Sequence, residues 1–159
     1  MVTSHNSSLK FSNKPFLILF SIITATIIIL DQLLKYLILT LQPQKDIGWI
    51  SIHLITNTGA GFGILAGKTI WLALVSLLVA LGIIYYYRHI PKQRTIQLLF
   101  ALFLGGVIGN FIDRALRGYV VDFIDLKWWP AFNLADAVLS ISVIGLVIYY
   151  WHDTEEEKR

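Results

Sequence analysis

Phe16 to Leu30 reads FLILFSIITATIIIL, fifteen residues broken only by the hydroxyls of Ser21, Thr24 and Thr26. Asp31-Gln32-Leu33-Leu34-Lys35 follows, and the apolar pattern then resumes to about Leu41. A helix crosses a hydrocarbon core about 30 Å thick with about 20 apolar residues. Residues 16–41 therefore predict a membrane span that carries an acid and a base in or beside the lipid. Three further stretches meet the same criterion: 70–87, 95–112 and 132–151. The four prolines mark the edges of these runs, at Pro15, Pro43, Pro91 and Pro130, where a helix has not begun or has already ended. Aromatic clusters sit at the same edges: Tyr85 to Tyr87, Trp128-Trp129, and Tyr149 to Trp151. Rings with a polar atom favour the headgroup zone.

Composition agrees with the spans. Of 159 residues, 56% are hydrophobic and 14% charged, against roughly a quarter charged in soluble domains, and the mean hydropathy is +0.67. Disorder is excluded and an ordinary soluble domain is disfavoured. With no cysteine, disulfides, zinc–thiolate sites, iron–sulfur clusters and thiol nucleophiles are excluded too. The net charge of +3 does not signal nucleic acid, because the bases lie at the ends of apolar runs rather than in a stripe. The expected fold is an all-α integral membrane bundle of four transmembrane helices in one domain. Its outer face carries a small β/loop element within 42–69 and a second loop at 113–131.

An even number of spans puts both termini on one side with the turn Arg88 to Arg94. That side holds Lys10, Lys14, Arg88, Lys92, Arg94, Lys158 and Arg159; the other holds Lys45, Lys68, Arg114, Arg117 and Lys127. The tight basic turn decides the orientation, since short loops dominate the positive-inside rule, and the termini are expected in the cytoplasm. The first span is read as retained, because no small-x-small cleavage site precedes Asp31 and the apolar run continues past it. In the first outer loop, Ile50, Ile52 and Leu54 alternate with Ser51 and His53 before the glycine-rich Asn57 to Gly63. That pattern predicts a strand-and-turn element lying on the bilayer.

Depth then gathers the polar residues. Span one runs outward, so Asp31 lies about 22 Å from its inner end, with Lys35 one turn further. Span three ends outside with Asn110, Asp113 and Arg114, and span four begins outside with Asn133 and Asp136. Asn57 and Asp122 belong to the outer loops. These groups converge on one membrane surface whichever way the chain is inserted. Charged groups at such a depth mark a site by default. All glutamates fall in the C-terminal tail, so acid chemistry upstream rests on aspartate. Two aspartates brought together in a partly dry site share a proton and titrate jointly, an arrangement that activates water and protonates a leaving group. The four histidines show no metal spacing. A paired-acid hydrolase is the chemistry these residues support best.

Five blocks carry a family resemblance: Asp31-Gln-Leu-Leu-Lys35, Asn57-Thr-Gly-Ala-Gly-Phe62, Gly105-Gly-Val-Ile-Gly-Asn-Phe-Ile-Asp-Arg114, Gly118-Tyr-Val-Val-Asp-Phe123 and Phe132-Asn-Leu-Ala-Asp136. In this order and spacing the chain resembles bacterial lipoprotein signal peptidase, or signal peptidase II. The resemblance implies an aspartic peptidase of the inner membrane that removes the signal peptide of prolipoproteins before the diacylglyceryl-modified cysteine. It implies Asp122 and Asp136 as the catalytic pair, with Asp31, Lys35, Asn57, Gly59, Gly105, Asn110, Arg114, Asn133 and Ala135 at the site-lining positions. Gly61 departs from the alanine expected there.

No metal or cofactor is expected. The partners implied are diacylglyceryl-modified prolipoproteins and membrane lipids, with no nucleic acid and a monomeric enzyme. Asp113 is read as the partner of a base such as Arg114 or Arg117. Asp31 and Lys35 fit either a purely structural ion pair or a buttress for the site. Gly105 fits either close helix packing or close approach by substrate backbone. Asn110 and Asn133 fit either interhelical hydrogen bonding or contacts to the acids and substrate. The alternative function is a small membrane carrier or proton-relay subunit using Asp31, Lys35 and Asp136. A relay predicts ionisable groups spread through the depth of the bilayer, whereas these crowd one surface.

Overall fold

The structure, a computed structural model, describes residues 14–61 and 64–156. Lys10, Lys158, Arg159 and Phe62 of the second block lie outside the described residues. Four long helices, α1 (Lys14–Leu41), α2 (Thr69–Tyr86), α3 (Arg94–Arg117) and α4 (Leu134–Glu156), are joined with three short strands, β1 (Lys45–Ile47), β2 (Ile50–Asn57) and β3 (Val120–Asp125). All four helices are long and apolar enough to cross a membrane.

The helix α3 is the hub. Over its apolar window 56% of residues are buried, against 17% for each of the others. The buried residues of α1 fall on one stripe, Phe20, Thr24, Asp31, Lys35 and Ile38, at the three-, four- and seven-residue spacing of a single helix face. Residues such as Ile18, Ile22, Ile29 and Leu33 point outward and are exposed, as a lipid-facing surface requires.

Glycines set how closely the hub is approached. A Cβ at Gly105 would meet Ile27 at 2.8 Å, one at Gly106 the Ala135 carbonyl oxygen at 2.7 Å, and one at Gly109 the Asp31 carboxylate at 2.7 Å. Small residues on α3 thus bring α1 and α4 into backbone range. Of the two readings of Gly105, the structure shows helix packing.

The element boundaries differ from expectation at the end of α3 and at both ends of α4, which continues to Glu156 rather than ending near 151. The α3 helix runs to Arg117 rather than ending near 112, and stops where Gly118 adopts φ 77°, a left-handed conformation that glycine takes without strain. The α4 helix starts at Leu134 rather than 132. Phe132 instead pairs with Ile124 in a β-bridge, its carbonyl accepting from the Phe123 and Ile124 amides at 3.1 and 3.0 Å.

The loop at 113–131 contributes a strand. Antiparallel pairing in the order β1-β2-β3 merges the 42–69 and 113–131 loops into one sheet. The β3 strand was not expected because Val120, Val121, Asp122 and Phe123 are all buried, which leaves no alternation to read. In β2 the alternation does not sort inside from outside: Ser51 is buried and Ile50 exposed, with Ser51 Oγ donating to Asp46. Tyr85, Tyr86, Trp128, Trp129 and Trp151 are exposed, as rings at an interface are, while Tyr87 turns inward onto Phe20.

Candidate active site

The polar residues meet where α1, α3, β3 and the start of α4 come together. Asp31 and Lys35, one turn apart on α1, form an ion pair at 2.8 Å, and Lys35 also reaches Asp113 of α3 at 3.1 Å. All three side chains are fully buried. Asp113 pairs in addition with Arg117 and accepts from the Val121 amide at 2.9 Å, which ties β3 to α3. The expectation that Asp113 serves a neighbouring base holds for Arg117, and Lys35 is a partner the sequence did not reveal. Asp31 accepts from the Ala135 amide at 3.0 Å. Asp31 and Lys35 therefore tie α1 to the first turn of α4 and to the amide of Asn110.

Asn110 and Asn133 link this support to the two candidate acids. The Asn110 oxygen accepts from Lys35 at 3.0 Å and from Asn133 at 3.1 Å, while its nitrogen donates to Asp136 Oδ1 at 2.8 Å. The Asn133 nitrogen donates to Asp122 Oδ1 at 2.7 Å. Asn133 also caps α4: its oxygen accepts from the Asp136 amide at 2.9 Å, and Asp136 Oδ2 accepts from the Asn133 amide at 3.3 Å. This is a reciprocal capping box with aspartate in the place of the usual glutamate. Both asparagines thus serve as interhelical hydrogen-bonding groups and as direct partners of the acids.

Asn57, at the end of β2, holds the other oxygen of Asp122 at 3.0 Å and takes the Gly59 amide at 2.9 Å. A Cβ at Gly59 would come within 2.9 Å of the Ile64 carbonyl oxygen, so the turn after β2 needs glycine there. The Gly59 carbonyl accepts from Arg114 at 3.1 Å. Arg114 Nε is buried without a hydrogen-bond partner.

Asp122 and Asp136 open onto adjoining cavities. One of about 160 Å³ is lined by Asn57, Arg114, Trp129, Phe132, Asp136 and Ser140 among others. Another of about 280 Å³ reaches Asp122 and shares Asn57, Pro130 and Ala131 with the first. A third, about 400 Å³, continues from Asp136 along Ala137 and Ile141 beneath Trp128. Burial, and then the charge of Asp136, push the Asp122 carboxyl up to about 6, although Asn57 and Asn133 donate to it and Lys35 attracts it. Such a carboxyl exchanges its proton near neutral pH, which suits acid–base work. Among the described residues no cluster of three or more His, Cys, Asp or Glu is placed to hold a metal ion.

The structure brings together Asn57, Gly59, Asn110, Arg114, Asp122, Asn133 and Asp136 at the cavities or one hydrogen bond behind them. Asp31, Lys35 and Ala135 stand further back, and Gly105 packs against α1. Gln32 was missed: it donates to Gly109 O and Asp113 and accepts from Arg117. An amide beside Asp31 in an apolar run was its only signal. Ser140 was also missed, although it lies one turn beyond Asp136 on the same helix face.

Residues 23–152 match the family model described as signal peptidase (SPase) II. The chain is 46% identical to a lipoprotein signal peptidase of Moorella thermoacetica, covering 86% of this chain and 91% of that one. It is 38% identical to the lipoprotein signal peptidase of Bacillus subtilis, covering 89% and 98%. A solved bacterial membrane enzyme superposes with a TM-score of 0.81 at 32% identity, covering 86% of this chain and 90% of that one.

Proposed function

The chain belongs to the signal peptidase II family, whose members remove the signal peptide from prolipoproteins, and from that premise we propose that its peptidase chemistry is carried by Asp122 and Asp136 acting as a pair. The observation that supports this most directly is their linkage. Asn133 donates to Asp122 and caps the helix that starts with Asp136, and the two carboxylates open onto adjoining cavities.

In this reading the pair holds one proton. The ionised carboxylate takes a proton from a water as the water attacks the scissile carbonyl. The protonated partner donates to the developing oxyanion, and a proton returns to the departing amine. The amine released is that of the cysteine bearing the diacylglyceryl group, whose acyl chains stay in the lipid. The signal helix enters sideways from the bilayer, and the sheet with the turn after β2 braces the site from above. Asn57 and Asn133 orient Asp122, Asn110 orients Asp136, and Arg114 offers donors to substrate oxygens. The enzyme sits in the bacterial inner membrane as a monomer, with its termini in the cytoplasm and its site toward the outer face.

The experiment is cleavage of a diacylated prolipoprotein peptide by purified enzyme in detergent. Asp122→Asn and Asp136→Asn are each expected to abolish turnover while folding and inserting normally. Retained turnover by either variant rejects the pair. Proton flux in liposomes without cleavage would favour the relay instead.

A further inference from the structure

At the end of the bundle away from the candidate site, α1 and α2 each pack on α3 far more than on one another. A groove of about 400 Å³ lies open over the seam between α1 and α2, its floor formed by Leu104 and the touching rings of Phe20 and Tyr87, its sides by Ala25 and Ile28 of α1 and Ile84 of α2. It follows α1 from Leu17 to Ile28, about 16 Å at 1.5 Å per residue, or about half the 30 Å hydrocarbon core. That is the depth of a single leaflet.

The mouth of the groove is cationic. Lys92 Nζ stands 4.0 Å from the centroid of the Tyr87 ring and donates to the Tyr87 carbonyl at 2.9 Å, which leaves two of its protons uncommitted. Arg88 and Arg94 lie on the same turn. Among the described residues no carboxylate forms an ion pair with any of the three. A half-buried cation ordinarily has a counter-ion, and desolvation here already lowers the proton affinity of Lys92. The Tyr87 hydroxyl is also buried without a hydrogen-bond partner.

We propose that this groove and basic turn form a site for one anionic phospholipid, with an acyl chain between α1 and α2 and the phosphate against Lys92. A partner helix would need the full membrane depth, and the groove ends at mid-depth beside Ile28 and Ile108. A zwitterionic lipid offers the cation less, because its own ammonium competes for the phosphate.

The test uses the full chain in detergent with phosphatidylglycerol or phosphatidylcholine of identical acyl chains, read by native mass spectrometry and thermal unfolding. One phosphatidylglycerol is expected to be retained through detergent exchange, at least tenfold better than phosphatidylcholine, with a higher midpoint of unfolding. Lys92→Gln should lose that preference. Ala25→Trp, which fills the groove, should lose retention while still cleaving a prolipoprotein peptide. As a check on wild type, a diazirine in the acyl chain of phosphatidylglycerol should label the segments around Ala25 and Ile84. Equal retention of the two lipids, or label spread evenly over all four helices, overturns the proposal. Retention, melting and labelling do not depend on peptidase activity.

Discussion

Lys35 Nζ donates to Asn110 Oδ1 over 3.0 Å with neither side chain open to solvent. That bond decides which end of the amide faces the site. With the Asn110 oxygen committed to Lys35 and Asn133, its nitrogen is turned to Asp136 at 2.8 Å. An ion pair on the first helix thereby sets the orientation of a group that touches a carboxylate on the last.

Lys35→Met should therefore damage both stability and turnover. It leaves Asp31 and Asp113 buried with one cation fewer, which costs about 3–5 kcal/mol when one partner of a buried pair is removed, and it frees the Asn110 amide to rotate. Thermal unfolding should show the loss, and kcat should fall more than KM rises. Combining Lys35→Met with Asp31→Asn should cost less than the sum of the two single changes, because both act on one network. Strict additivity would argue against this coupling.

The carboxyl of Asp122 provides a prediction with a definite sign. Its folded value of about 6 lies above the 3.8 of an unperturbed aspartate, so the folded state binds this proton more tightly than the unfolded state does. Stability is then fully present below about 4 and lost as pH rises to about 6, by on the order of 3 kcal/mol. Asp122→Asn removes the titration. Melting curves of wild type and variant should diverge between pH 4 and 6, with the wild type losing stability relative to the variant. Parallel curves would show that Asp122 does not titrate in this window.

Asn57 acts on the same proton. It donates to Asp122 Oδ2 at 3.0 Å, and this bond favours the ionised form. Asn57→Ala should move the titration of Asp122 further up, by about one to two pH units for a hydrogen bond to a charged group worth about 1.5–3 kcal/mol. Whichever limb of the kcat/KM profile reports Asp122 should shift to higher pH. The other limb should move less, because the bonds that hold the Asp136 carboxylate come from Asn110 and Asn133.

The four spans were legible because bilayer thickness is a hard constraint and few residues break the runs. The pairing of Asp31 with Lys35 was legible because helical geometry places i and i+4 together. Lys35 with Asp113 was not, since that contact depends on how closely α1 approaches α3, and the glycines of α3 set that distance. Asp122 could be placed among the other polar groups but not on a strand, because a strand buried on both faces carries no alternating signature. The wall formed by Trp129, Pro130, Ala131 and Phe132 was read as interfacial aromatics and a helix start. Its real form follows from the bridge between Phe132 and Ile124, a tertiary contact with no local signal.

Those α3 glycines yield the last prediction. At Gly106 an added Cβ meets a backbone oxygen, that of Ala135, at 2.7 Å, and the α4 backbone there cannot yield without carrying Asp136 away from Asn110. At Gly109 the clash is with the Asp31 carboxylate at 2.7 Å, the group that takes the Ala135 amide. At Gly82 on α2 nothing lies within 4 Å, and alanine is the better helix former. Gly106→Ala and Gly109→Ala should each cost about 1–3 kcal/mol, the usual range for overpacking, and should lower turnover further than that loss of stability alone would. Gly82→Ala should be neutral or slightly stabilising with turnover unchanged. Thermal unfolding and peptide cleavage on the three variants check this together. If Gly106→Ala keeps full activity, then α4 is not held by close contact with α3, and the position of Asp136 rests on its cap and on Asn110 alone.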